Sequence, residues 1–226
     1  YETPTDNGSN NIYNFTVTVT DAGSLTDVQN YAITVTNVNE APVITTNSGN
    51  DVASDYAENG TGNVADVTTT DDANTEGSGL TYSLSGADAA LFNIDANTGV
   101  VTWKASPDYE NKIDAGTDNV YNFTVTVTDA GSLTDVQNYA ITVTNVNEAP
   151  VITTNSGNDV ASDYAENGTG NVADVTTTDD ANTEGSGLTY SLSGADAALF
   201  NIDANTGVVT WKASPDYENK IDAGTD

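Results

Sequence analysis

The side chains able to do chemistry in this chain are almost all oxygen donors. There are 34 Asp and Glu against four Lys, with no Arg, His or Cys. The acids are grouped: Asp71-Asp72, Asp108-Tyr109-Glu110, and Asp129 ahead of Ala130-Gly131. Asn37-Val38-Asn39-Glu40-Ala41-Pro42 adds amides to a carboxylate and returns unchanged as 145–150. Carboxylate, amide and carbonyl oxygens together suit a hard cation such as calcium, which takes six to eight of them. The same acids can equally serve to keep an exposed surface soluble, and the formal charge of −30 leaves that reading open.

Other chemistries are poorly served. Without His or Cys there is no Ser-His or Cys-His nucleophile pair, no thiolate metal site and no disulfide. Paired carboxylates could cleave glycosides, but these flank a connector with no sign of a cleft. We therefore expect no enzymatic activity. Nucleic acid and anionic membranes select basic patches, which this composition lacks, so no nucleic-acid partner and no direct membrane contact are expected.

The elements that must hold these acids repeat. Residues 13–110 are identical to 121–218, an offset of 108. In Phe15-Thr16-Val17-Thr18-Val19-Thr20 the apolar residues share one face of a strand, and Tyr31, Ile33 and Val35 do so in the next, across the turn Asp21-Ala22-Gly23-Ser24. Leu80, Tyr82 and Leu84 alternate likewise, and Val101 and Trp103 follow the Asn97-Thr98-Gly99 turn. Only Ala87–Leu91 offers a short helical turn. Many short strands per hundred residues predict an all-β Greek-key sandwich. Pro42 and Pro150 disfavour a central strand and mark the crossings between modules. The predicted organisation is 1–40, the C-terminal part of one repeat; 41–148, a complete repeat; and 149–226, the N-terminal part of a following repeat.

Ala57-Glu58-Asn59, Thr70-Asp71-Asp72, Asp108-Tyr109-Glu110, Thr128-Asp129 and Asn145-Val146-Asn147-Glu148-Ala149-Pro150, in that order, resemble the cadherin repeat. Leu80–Leu84 and Leu91–Asp95, followed by Thr98–Thr102, are similar to its bacterial version in the extension regions of giant repeats-in-toxin (RTX) adhesins. The resemblance implies a seven-stranded sandwich with calcium between consecutive modules. It assigns Asn37, Asn39 and Glu40 to meet Asp71, Asp72, Asn74 and Asp129 at the upper junction, with Glu2 nearby. At the lower one it assigns Glu58, Asp108 and Glu110, the connector residues Asn145, Asn147 and Glu148, and Asp179, Asp180 and Asn182 of the next module. Glu166, Asp216 and Glu218 repeat the lower trio and could stand in for the companions Glu2 lacks. Asn37 and Asn145 replace the family's usual Asp, and Asp71-Asp72-Ala73 replaces Asp-x-Asp. Both changes lower site charge, and one to three ions per junction are expected.

Taken singly, these motifs also read as solvated turns. Asp95–Gly99 superficially suggests an EF-hand loop, but its Gly is one position early and Ser106 stands where the bidentate Glu belongs. The reading that follows is a calcium-rigidified extender of a bacterial cell-surface adhesin, extracellular, serving adhesion or biofilm formation. Its expected partners are adjacent identical repeats, with end-to-end complementation between chains as a further possibility. The alternative is a carbohydrate- or protein-binding sandwich, including homophilic cadherin-type adhesion.

Overall fold

Alternating Thr and Val make the most regular elements. β1 (Ile12–Thr20) and β2 (Thr26–Thr34) form an antiparallel hairpin with Phe15 opposite Tyr31 and Val17 opposite Gln29. Asp21 closes it, its carboxylate accepting the amides of Gly23 (2.8 Å) and Leu25 (2.9 Å). Such local bonds are why Asp recurs at turns.

The computed structural model describes residues 1–219, so 220–226, the end of the third expected segment, lie outside the described residues. The chain divides into two compact units, Tyr1–Asn145 and Val146–Asp226. The first continues with β3 (Val43–Ile44), β4 (Val52–Ala57), β5 (Ala65–Asp66), β6 (Thr69–Thr70), β7 (Thr81–Ser85), β8 (Phe92–Ile94) and β9 (Val100–Trp103). It ends with β10 (Val120–Thr128) and β11 (Thr134–Thr144). A single 3-10 turn, Ala89–Leu91, occupies the place where one helical turn was expected.

β10–β11 repeats the first hairpin from Tyr121 on, with Val120 in place of Ile12, but here it lies mid-sheet. The order is β4-β11-β10-β7, with β4 parallel to β11 and the other pairs antiparallel. The opposing layer is β5-β9-β8 with the short pair β3-β6. Between them lie Phe123, Val125 and Val127 of β10, Tyr139, Ile141 and Val143 of β11, and Ile44, Val67, Leu80, Tyr82, Phe92 and Val101. Trp103 packs edge-on to Tyr121 at 4.9 Å, and Phe123 stacks on Tyr139 at 5.0 Å. This is the all-β sandwich expected, with Trp103 in core packing.

Three buried polar side chains, Gln137, Asp88 and Asp114, are hydrogen-bonded to the backbone. Gln137 donates to the carbonyls of Thr46 (2.8 Å) and Asn50 (2.6 Å) and accepts from the Tyr139 hydroxyl at 2.6 Å. Asp88 accepts the amides of Ala115 and Asn122, both at 2.7 Å, and Asp114 those of Asp118 and Asn119. The Asp95 loop is an ordinary turn, the carboxylate accepting the amides of Asn97 and Thr98.

The second unit holds β12 (Val151–Ile152), β13 (Ala173–Asp174), β14 (Thr177–Thr178), β15 (Phe200–Ile202) and β16 (Val208–Trp211). They pair as β12-β14 and β13-β16-β15, copying β3-β6 and β5-β9-β8. Residues 160–165 and 189–193, identical to β4 and β7, lie in no strand. In the first unit the face of β1–β2 is open: Phe15, Val17 and Val19 are 49%, 49% and 65% exposed, against 2%, 0% and 0% for Phe123, Val125 and Val127.

Candidate metal centre

Three carboxylates expected to act together do meet. Glu58 follows β4, where its amide donates to the Thr144 carbonyl at 3.0 Å and fixes it at the end of the sheet. Asp108 and Glu110 come from the loop after β9, in which Asp108 accepts the amides of Glu110 and Asn111, both at 3.0 Å. Glu58 also accepts the Tyr109 amide at 2.8 Å, which draws that loop over it. The oxygens of Glu58, Asp108 and Glu110 lie within 4.8 Å of one another, with Glu58 buried. Asn145 joins them by donating to Glu110 at 2.9 Å.

Glu166, Asp216 and Glu218 form the same trio in the second unit, all three exposed. Glu166 again accepts the following loop's amide, from Tyr217, at the longer distance of 3.3 Å. Among the described residues these are the two places where three acids come this close.

Within the first unit the connector also reaches its expected acids. Asn37 donates to Asp72 at 2.7 Å and Asn39 to Asp129 at 2.6 Å. Asp129 is positioned by its own turn, where it accepts the Leu133 amide at 2.7 Å. Asp71 accepts the amide and side chain of Asn74, both at 2.7 Å, and the Ala73 amide at 3.0 Å. Burial works to raise the Asp71 carboxyl, but these bonds outweigh it and hold the group below its ordinary 3.8. It is therefore charged at neutral pH. Asp71 Oδ2 and Asp72 Oδ1 are nevertheless buried with no hydrogen-bond partner. Buried carboxylate oxygens with no partner are costly unless a cation neutralises them.

The second unit repeats this chemistry. Asp180 accepts the Glu148 amide at 3.3 Å, and its Oδ2 is again buried without a partner. Asp179 lies below 3.8, held there by the Asn182 side chain, against burial, and by the amides of Ala181 and Asn182. Asn147 turns its amide to the Glu148 carbonyl at 3.1 Å. Donors and orphaned oxygens of this kind fit calcium, whose shell mixes carboxylate, amide and carbonyl oxygens.

Glu2 belongs to neither acidic trio. Glu40 contributes its carbonyl to Asn39 at 3.4 Å. One residue was not singled out from the sequence. A side chain at Gly131 would put its Cβ 2.6 Å from the Asn39 amide nitrogen, so its absence lets the connector approach the Asp129 turn. A glycine after a turn Asp carries no visible signal of that contact.

Residues 55–144 match the Cadherin domain model. Over this stretch the chain is similar to a cadherin repeat. Mouse Protocadherin Fat 4 is 29% identical over 164 residues, 70% of this chain, and human Protocadherin Fat 4 is 28% identical over 145 residues, 62% of it. In both cases the chain spans 3% of the relative's length. Among solved structures, human CDH23 EC21-23 superposes with a TM-score of 0.58 at 20% identity, covering 92% of this chain and 66% of that one. Human Protocadherin-24 EC1-2 gives 0.52 at 21% identity, covering 81% of each. At these identities the likeness is one of fold. The relatives named are mammalian, and nothing in them speaks to a bacterial setting.

Proposed function

We propose that this chain is a non-enzymatic extracellular spacer in which calcium stiffens the joints between successive cadherin-like repeats. The observation that carries the reading is the upper connector. Asn37 and Asn39 lie on Asp72 and Asp129 of the following module, beside two buried carboxylate oxygens that lack a partner. Asp71, Asp72, Asp129, Asn37 and Asn39 would hold one group of ions. Glu58, Asp108, Glu110 and Asn145 would supply the lower donors, with Glu166, Asp216 and Glu218 as their copy. Asn147, Glu148, Asp179, Asp180 and Asn182 would act likewise in the second unit, and Asn74 would orient Asp71. Without the ion the carboxylates repel and the joint is loose; with it they are held together.

Unvaried repetition favours a mechanical role, since each added module supplies length and contacts only its neighbours. That supports the setting expected from the sequence, the extension region of a bacterial RTX-type adhesin that projects a distal binding domain. Small-angle scattering tests it. At a few millimolar calcium the particle should be longer and stiffer than in chelator, and Glu148→Ala should loosen it while the sandwich stays folded. Equal dimensions in the two conditions would refute the spacer reading.

A further inference from the structure

Two stretches of the repeat diverge in sequence and keep one set of contacts. Residues 3–12 and 111–120 agree at only three of ten positions, Asp6 with Asp114, Gly8 with Gly116 and Asn11 with Asn119. In both, the Asp carboxylate accepts the Asn amide, at 2.9 Å for Asp6 and 3.1 Å for Asp114. In both, the Asn side chain donates to a tyrosine carbonyl, Asn11 to Tyr1 at 2.8 Å and Asn119 to Tyr109 at 2.9 Å. In both, the Asn carbonyl accepts a valine amide at 2.9 Å, from Val35 and from Val143. Asn11 and Asn119 share a left-handed backbone, with φ of 61° and 64°, which Asn tolerates better than most residues. Seven changed residues leave this clasp in place, so it does not depend on them.

In the closed module the clasp reaches the acidic trio. Tyr109 lies between Asp108 and Glu110; its amide is held by Glu58 at 2.8 Å and its carbonyl by Asn119. Three consecutive residues where β11 ends act as a common reference for all of them. Val143 donates to the Asn119 carbonyl, Thr144 accepts the Glu58 amide at 3.0 Å, and Asn145 donates to Glu110 at 2.9 Å. Behind Asn119, Asp114 is buried, and Asp88, also buried, takes the Ala115 amide at 2.7 Å and fixes the loop from its other side. Thr117 is held at φ 53°, an outlier for a β-branched residue, which persists only where the surroundings over-determine it. Asn119 is buried, and its Oδ1 has no partner, which detracts from stability. What the side chain contributes therefore comes through its donor, whose target is the loop carrying two of the three carboxylates. We propose that Asn119, backed by Asp114, is a positioning residue for the lower calcium site, holding Asp108 and Glu110 against Glu58 before the ion arrives. This rests on the reading of that trio as a calcium site. Partners that orient metal donors commonly govern affinity by about tenfold or more.

Amide NMR of the full chain tests this, because the Tyr109 and Glu110 resonances read the lower site alone. Asn119→Gly removes the donor and keeps the backbone, since glycine adopts positive φ freely. In calcium-free buffer, hydrogen exchange at the Tyr109 amide should quicken about fivefold or more, while Val127 and Ile141 exchange as in the parent. On titration with calcium, the half-saturation point of the Tyr109 and Glu110 shifts should rise about tenfold or more. The Ala73 and Leu133 amides, which bond Asp71 and Asp129, should titrate as in the parent. Asp114→Asn should move both readings the same way by less. Glu58→Gln, which removes one carboxylate of the trio, separates the two levels of the argument. Suppose it weakens the lower site while Asn119→Gly changes neither exchange nor half-saturation; then the positioning role fails and the calcium reading stands. A Glu58→Gln chain that titrates as the parent does would end both. Equal weakening at the Ala73 and Leu133 amides in Asn119→Gly would mark general destabilisation and would also overturn the proposal.

Discussion

The hairpins β1–β2 and β10–β11 share one sequence but for Ile12 against Val120, and the difference in setting separates what the strands encode from what their neighbours supply. Both keep the same cross-strand register, the same Asp-closed turn and the same stacked Phe–Tyr pair. None of that needs a second layer. The outer edges do need one. β4 and β7 are strands where β10–β11 lies between them, and their copies 160–165 and 189–193 are not. Even β11 runs to Thr144 where β2 stops at Thr34, because Val143 and Thr144 pair with Tyr56 and Ala57. Short apolar runs at the rim of a sandwich are thus strands by tertiary pairing, in keeping with the context dependence of strand propensity.

The largest expected contrast is in the aromatic pair. Phe123→Ala should destabilise the closed module by about 3–5 kcal/mol, the usual cost of emptying a packed core of an aromatic ring. Phe15→Ala should cost under about 1 kcal/mol, because that ring is half exposed. Urea unfolding followed by Trp103 fluorescence in a Trp211→Phe background measures both; equal losses would break the comparison. Next comes the buried amide. Gln137→Ala strands two carbonyls and a tyrosine hydroxyl and should cost about 2–3 kcal/mol. Gln29→Ala, at the exposed copy, should change unfolding by about 0.5 kcal/mol or less.

How much of this could be read beforehand divides along the same line. Period-two alternation and turn residues located both hairpins, β7 and β9, since those signals are local. Ordered acidic motifs led to the trio Glu58, Asp108 and Glu110 and to the connector contacts of Asn37 and Asn39. The parallel pairing of β4 with β11 was not legible, because its partners stand 87 positions apart, Val52 against Tyr139, and Val52–Ala57 carries no mark of it. Gln137 was not legible either, because its carbonyl partners, Thr46 and Asn50, are distant in sequence. The two-residue strands β3, β5 and β6 are too short for periodicity to register. Glu2 was assigned by the same resemblance as the other acids.

Two smaller effects sharpen the contrast. Burial pushes the Tyr139 hydroxyl up to about 12 from its ordinary 10.0. A raised pKa in the folded state means its contribution to stability is intact below pH 10 and is lost as pH rises from 10 toward 12. Phenolate absorbance should therefore show a late-titrating component that Tyr139→Phe diminishes, the Tyr82 and Tyr121 hydroxyls, also pushed up by burial, supplying the rest. Gly131→Ala should displace only the Asn39 side chain, costing about 0.5 kcal/mol or less while weakening calcium binding. Gly23→Ala in the first hairpin, where a Cβ would meet Asp21 at 3.3 Å, should leave calcium binding unchanged.

Calorimetric titration with calcium tests the central claim most directly, comparing the parent chain with Asp72→Asn and with Asp129→Asn. Saturable binding should appear in the parent and weaken in both variants, with the urea midpoint of the metal-free chain preserved. A parent chain that takes up no calcium, or variants that bind it as the parent does, would contradict a metal-locked joint between the repeats.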